Sequence, residues 1–160
     1  MKRLIIMMVL VASILSPYCY AEDGLAGVPA GIKSPDDIAK WFSQDFKYQL
    51  RLPKNAITPQ EVIDAKGGEC DDFAMLASVI LTRLGTPNHV TAIYFNDEIA
   101  GHVICIWQEK DGTYSFISNQ EIHRTGQPTA EAAIKKLFPG ARKIVADYDS
   151  TNQRRYFKMG

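Results

Sequence analysis

The stretch Gly67-Gly68-Glu69-Cys70-Asp71-Asp72-Phe73-Ala74-Met75-Leu76-Ala77-Ser78-Val79-Ile80-Leu81-Thr82-Arg83-Leu84-Gly85 decides how the rest of the chain is read. From Cys70 to Leu84, the residues Phe73, Leu76, Ala77, Ile80 and Leu84 share one helical face, Val79 and Leu81 widen it, and Gly85 stops it. So broad an apolar face belongs to a central, buried helix. Cys70 opens that helix. Free backbone N–H groups and the helix dipole favour a thiolate at a first turn, and the two glycines before it allow a tight backbone approach, as a reactive thiol facing a substrate would need. Asp71 and Asp72 suit a first turn but oppose a thiolate, since nearby negative charge raises its pKa. A reactive Cys70 therefore needs a cationic partner. Without one it reads as an ordinary buried cysteine.

N-terminal to this helix, Ser34-Pro35-Asp36-Asp37 is a helix start, with a capping serine, proline at the first position and acids for the dipole. Ile38, Trp41, Phe42 and Phe46 follow at helical spacing. Thr58-Pro59-Gln60-Glu61 is a capping box on a short helix stopped by Gly67-Gly68. C-terminal to it the period changes to two. His89 to Phe95, His102 to Gln108 and Thr113 to Ser118 read as strands, and Asp111-Gly112 predicts a hairpin between the last two. Thr129 caps a final helix ending before Pro139-Gly140, and Lys143 to Tyr148 adds an edge strand. Helices followed by a mostly antiparallel sheet make the predicted class α+β.

The chain has 160 residues with 18 basic and 18 acidic side chains, which predicts one domain and a neutral molecule ill suited to unspecific nucleic-acid binding. Met1 to Ala21 carries Lys2-Arg3, an apolar run from Leu4 to Ser16 and an exit with Cys19 and Ala21. That is the pattern of a cleaved signal peptide, and the run is well short of the roughly 20 residues that span a bilayer. The expectation is export to the periplasm or beyond, as a single domain over residues 22–160, monomeric and off the membrane once cleaved. Loss of Lys2 and Arg3 leaves the mature chain slightly acidic, with only Cys70 and Cys105 remaining. There is no disulfide framework.

A partner for Cys70 should be a histidine. His89 begins a strand and His123 falls in a polar loop, so both read as structural or solvated. His102, after Gly101 at the head of a strand, can project past the sheet edge towards the helix start. If the hairpin turns on two residues, Asp111-Gly112, then Lys110 faces Thr113, and His102 shares a face with Asn119 and Glu121. Asn119 would then accept from the His102 ring and fix its tautomer, giving nucleophile, base and orienter. A one-residue slip would present Ser118 instead. Cys105, three residues beyond His102, faces the other way and reads as a small buried hydrophobe. Trp41, Phe42, Tyr48, Tyr94 and Trp107 each read as core.

The segment Gly67 to Ala74 followed by Leu76, together with Gly101-His102-Val103 before an aromatic strand, resembles the transglutaminase-like superfamily. Within it the bacterial transglutaminase-like cysteine peptidases are most similar, over roughly Ser34 to Gln120. The resemblance implies a papain-like fold and a Cys–His–Asp triad, with Cys70 as nucleophile and His102 as the histidine. Where the family has Asp, often Asp-Asn, this chain has Ser118-Asn119, and ungapped counting puts Ser118 at the Asp position. Asparagine does the orienting job in papain-like enzymes, and the face argument favours Asn119. Some relatives bind calcium beside the cysteine; Glu69 and Asp71 stand at those places, two carboxylates for an ion that takes six to eight oxygens. No cofactor is otherwise required.

The leading expectation is acyl transfer outside the cytoplasm on a peptide or protein substrate. The backbone N–H of Cys70 serves as an oxyanion donor, and water is the default acceptor. A catalytically weak or inactive module that binds a peptide or partner protein is the alternative, prompted by the missing carboxylate. A redox protein cycling a Cys70–Cys105 disulfide is the third.

Overall fold

The structure is a computed structural model that describes residues 25–50, 58–95 and 100–147. The expected signal segment (1–21), the end of the last strand at Tyr148 and the basic tail lie outside them.

Helix α1 spans Pro35–Asp45. Ser34 caps it by accepting from Asp37 N–H at 3.3 Å, and Asp37 Oδ2 accepts in return from Ser34 Oγ at 2.7 Å. The strand β1 (Lys47–Tyr48) follows, and α2 (Pro59–Ala65) begins at the expected Thr58–Glu61 capping box. Lys66, in left-handed conformation at φ 51, ends α2. Gly67–Gly68 then forms the two-residue strand β2, parallel to β1. Both glycines are buried and pack closely against the chain itself. A side chain on Gly68 would strike Asp72, its Cβ only 2.7 Å from the carboxylate oxygen Oδ2.

Helix α3 (Cys70–Arg83) buries Phe73, Ala74, Leu76, Ala77, Ile80 and Leu81, close to the face expected of it. Asp72 Oδ2 accepts from Glu69 N–H at 2.7 Å and pins the helix start.

The strands are β3 (Asn88–Tyr94), β4 (Ala100–Gln108), β5 (Tyr114–Ser118), β6 (Glu121–Gln127) and β7 (Lys143–Ala146), with α4 (Ala130–Leu137) between the last two. They form one antiparallel sheet in the order β6-β5-β4-β3-β7. The architecture is the expected α+β, with the cysteine-bearing helix packed on an antiparallel sheet.

Alternation along β4 divides the core. Val103, Cys105 and Trp107 join Phe42, Phe73, Leu76 and Ile80 on one face, whereas Ile104 and Ile106 join Phe116, Ala133 and Ile134 beneath α4 on the other. Burial of side chains this large, each contributing about 1.5–3 kcal/mol, holds the two layers to the sheet.

Two expectations need correction. His123 lies not in a loop but in β6, which escaped notice because only Thr125 along it is buried and no apolar alternation marks it. The β4–β5 hairpin turns on three residues, not two. Gln108 pairs with Tyr114, Glu109 N–H donates to Thr113 O at 2.7 Å, and Lys110-Asp111-Gly112 form the loop. Asp111 Oδ1 accepts from both Thr113 N–H and Thr113 Oγ, and Gly112 takes φ 86. The Asp side chain closes a local turn of its own, which shifts the register by one residue.

Candidate active site

Cys70 is the first residue of α3, held half-buried by the flat Gly67–Gly68 approach and by the Asp72–Glu69 cap. Two backbone N–H groups point at its sulfur, those of Val103 and Asp71. Val103 follows His102 directly and lies past Cys105, the last β4 residue paired with β5. The thiol thus lies beside β4 at Val103, past the point where β5 has ended. Burial pushes the Cys70 thiol up, more strongly than the Val103 N–H lowers it, and the charges of Asp71 and Glu69 add to the rise. The thiolate expected from the helix start is therefore outweighed, and the thiol rests protonated at neutral pH.

His102 is half-buried, its ring centroid 5.4 Å from that of Phe138. Its Nε2 lies 2.7 Å from Ser118 Oγ. The shifted register explains this partner: Ser118, not Asn119, shares the face of β4 that carries His102. The preference for Asn119 as orienter is corrected accordingly. Asn119 instead opens the two-residue turn between β5 and β6 with φ 52, a conformation asparagine tolerates, and its buried Oδ1 has no hydrogen-bond partner among the described residues. Burial lowers the His102 pKa, and the neighbouring His123 lowers it further. With a hydroxyl in place of a carboxylate beside it, the imidazole rests neutral.

Tyr48, read from sequence as core, is 46% exposed, and Cys70 exerts the largest charge effect on its phenol, which burial pushes up. Tyr94 is only partly buried, whereas Trp41, Phe42 and Trp107 are buried. Cys105 faces away from His102 into the core, fully buried, and donates its S–H to Asn88 Oδ1 at 3.4 Å. Both cysteines are free. His89 pairs with Asp147 at 2.8 Å on the sheet edge, far from this chemistry.

At the expected calcium position the carboxylates have partners within the chain. Asp71 Oδ1 accepts from Asp72 N–H at 3.1 Å, Asp72 holds Glu69 N–H, and no group of three or more His, Cys, Asp or Glu that could hold a metal occurs among the described residues.

Sequence reasoning missed Gln120 altogether. Its Nε2 donates to Phe42 O at 3.0 Å and to Phe46 O at 2.6 Å. Phe138, against the His102 ring, was also missed. Neither carries a local signal, because both meet the site only through tertiary packing.

Solved structures of LapG from Legionella pneumophila are similar to this chain. One is 21% identical and covers 61% of this chain and 59% of that one, with a TM-score of 0.44. An EGTA-treated form is 21% identical over 68% of this chain and 61% of that one, TM-score 0.45. A calcium-bound form is 20% identical over 68% and 62%, TM-score 0.43. The chain spans about three-fifths of the length of these proteins. A search of the curated proteins finds no match. Residues 30–126, more than half of the chain and all of the site from Tyr48 to Gln120, match the model of a family described as the transglutaminase-like domain. The chain therefore belongs to the transglutaminase-like domain family.

Proposed function

We propose that the protein is an exported cysteine hydrolase, a peptidase or amidase acting through an acyl-enzyme at Cys70 with His102 as base. One observation carries this reading above the rest. The Cys70 sulfur lies against the Val103 N–H, and His102, the residue before Val103, has its Nε2 on Ser118. As the sulfur attacks an amide carbonyl, the thiol proton passes to His102 Nδ1, and the imidazolium then gives it to the leaving amine. The Cys70 N–H, in the first turn of α3 where backbone donors lack intrahelical partners, receives the oxyanion. Water, deprotonated by His102, then cleaves the thioester. Because both groups rest neutral, His102 must take the proton during attack and not before it. Ser118 supports the ring by hydrogen bonding, without the charge that a carboxylate would place on the imidazolium. Export follows from the Met1–Ala21 pattern, and a peptide or protein substrate from the family's chemistry.

Alkylation tests the pair. Iodoacetamide should modify Cys70 of the native chain faster than Cys70 of His102→Ala near neutral pH, because the neutral imidazole takes the thiol proton during attack. A native chain no faster than His102→Ala would refute the pair. A second reading, a weak or inactive module that binds peptide, is favoured by one feature, the hydroxyl at Ser118. Ser118→Asp separates the two, since a large rise in thiol reactivity would mark the native site as impaired.

A further inference from the structure

The β5–β6 turn is held at one point from outside the sheet. Gln120 Nε2 donates to Phe42 O at 3.0 Å and to Phe46 O at 2.6 Å, across 78 and 74 residues of sequence. Phe42 O also accepts from Phe46 N–H at 3.0 Å, whereas Phe46 is the C-cap residue, past the last helical donor, and α1 has no basic side chain in its last turn. The primary amide of Gln120 supplies exactly two N–H donors, one for each.

What the amide joins matters more than the bonds themselves. Directly after Phe46, Lys47 and Tyr48 pair with Gly67 and Gly68, and Cys70 follows two residues later. Two residues before Gln120, Ser118 holds the His102 ring. One side chain thus ties the strand that flanks the nucleophile to the turn that carries the histidine's partner. A separate link between α1 and β6, the ion pair of Arg124 with Asp36, lies at the opposite end of α1.

We propose that Gln120 is a positioning residue for this site: by clamping the β5–β6 turn to the end of α1 it sets Ser118 against His102, and His102 against Cys70. This rests on the reading of Cys70 and His102 as nucleophile and base.

The test is the rate of Cys70 alkylation by iodoacetamide as a function of pH, on the full chain and in a double-mutant cycle with His102→Ala. Gln120→Met has the same reach and no donors. It should lower the His102-dependent part of the rate by about tenfold to a hundredfold, as a misplacement of the order of an ångström does, and should collapse the pH profile onto that of His102→Ala. In the His102→Ala background it should change nothing. Gln120→Lys restores donors at a helix C-terminus that favours a cation, and should recover most of the rate. Should Gln120→Met not fold, Gln120→Asn, a methylene too short to reach both carbonyls, carries the same expectation. Wild-type rates in folded Gln120→Met, or an equal loss in both backgrounds, would overturn the proposal while leaving the dyad intact. A His102→Ala variant as reactive as the native chain would overturn the dyad itself, and the role of Gln120 with it.

Discussion

The chain carries two thiols after its first 21 residues, and their surroundings are opposites. Cys70 is half-buried and receives backbone N–H groups from Val103 and Asp71, donors that lower the energy of a sulfur anion. Cys105 is fully buried in the core cluster that also holds Phe73, Trp107, Val103 and Ile117, and it donates to Asn88 Oδ1, an acceptor that retains the S–H proton. Burial pushes both thiols up, but at Cys105 nothing opposes it. Which atoms point at the sulfur, more than burial, separates a group that can react from one that only packs.

The comparison can be broken most forcefully by deleting each thiol in turn. Cys70→Ala should reduce acyl transfer from p-nitrophenyl acetate by on the order of a thousandfold or more, the usual cost of losing a nucleophile. Cys105→Ala should leave the rate near the native value and lower stability by about 1 kcal/mol, read from urea unfolding. Equal losses of activity would erase the distinction.

Ser118→Asp should sharpen it. A carboxylate beside the ring raises the His102 pKa and, through the resulting imidazolium, favours the Cys70 thiolate, so alkylation at neutral pH should rise by about tenfold. Cys105, on the other face of β4, should not respond. The pH dependence follows from the same surroundings. His102 is lowered from the ordinary imidazole range, so the acid limb of acyl transfer, set by the need for a neutral base, should fall below about pH 6.5. The Cys70 thiol is raised, so alkylation should keep climbing with pH above the ordinary thiol range. An acid limb above that of free imidazole would contradict the neutral pair.

The smallest expected effect concerns how Cys70 is presented. Gly68→Ala must displace the Asp72 carboxylate that pins the start of α3. A loss of about 1–3 kcal/mol in stability is expected, along with a slower Cys70.

How much of this was legible in the sequence follows the range of the interactions. The four helix starts at Ser34, Thr58, Cys70 and Thr129 are set by neighbours within one turn, and the sequence showed all of them. The apolar face of α3, the strands from Asn88 to Ser118 and the inward direction of Cys105 were readable for the same reason. The third member of the site was not. It depends on whether the hairpin turns on two residues or three, which the Asp111 carboxylate decides by bonding Thr113. That one-residue difference exchanges Asn119 for Ser118. β6 carries mostly polar residues at the sheet edge, where alternation gives no signal. Gln120 acts on carbonyls more than seventy residues away, and nothing near it in the chain announces them.

The most direct measurement is mass spectrometry of the chain quenched during reaction with p-nitrophenyl acetate. The account predicts a single acetyl group on Cys70, none on Cys105, and no acetyl-Cys70 in His102→Ala over the same interval. An unmodified Cys70 in the native chain, or acetylation that proceeds as fast without His102, would contradict it.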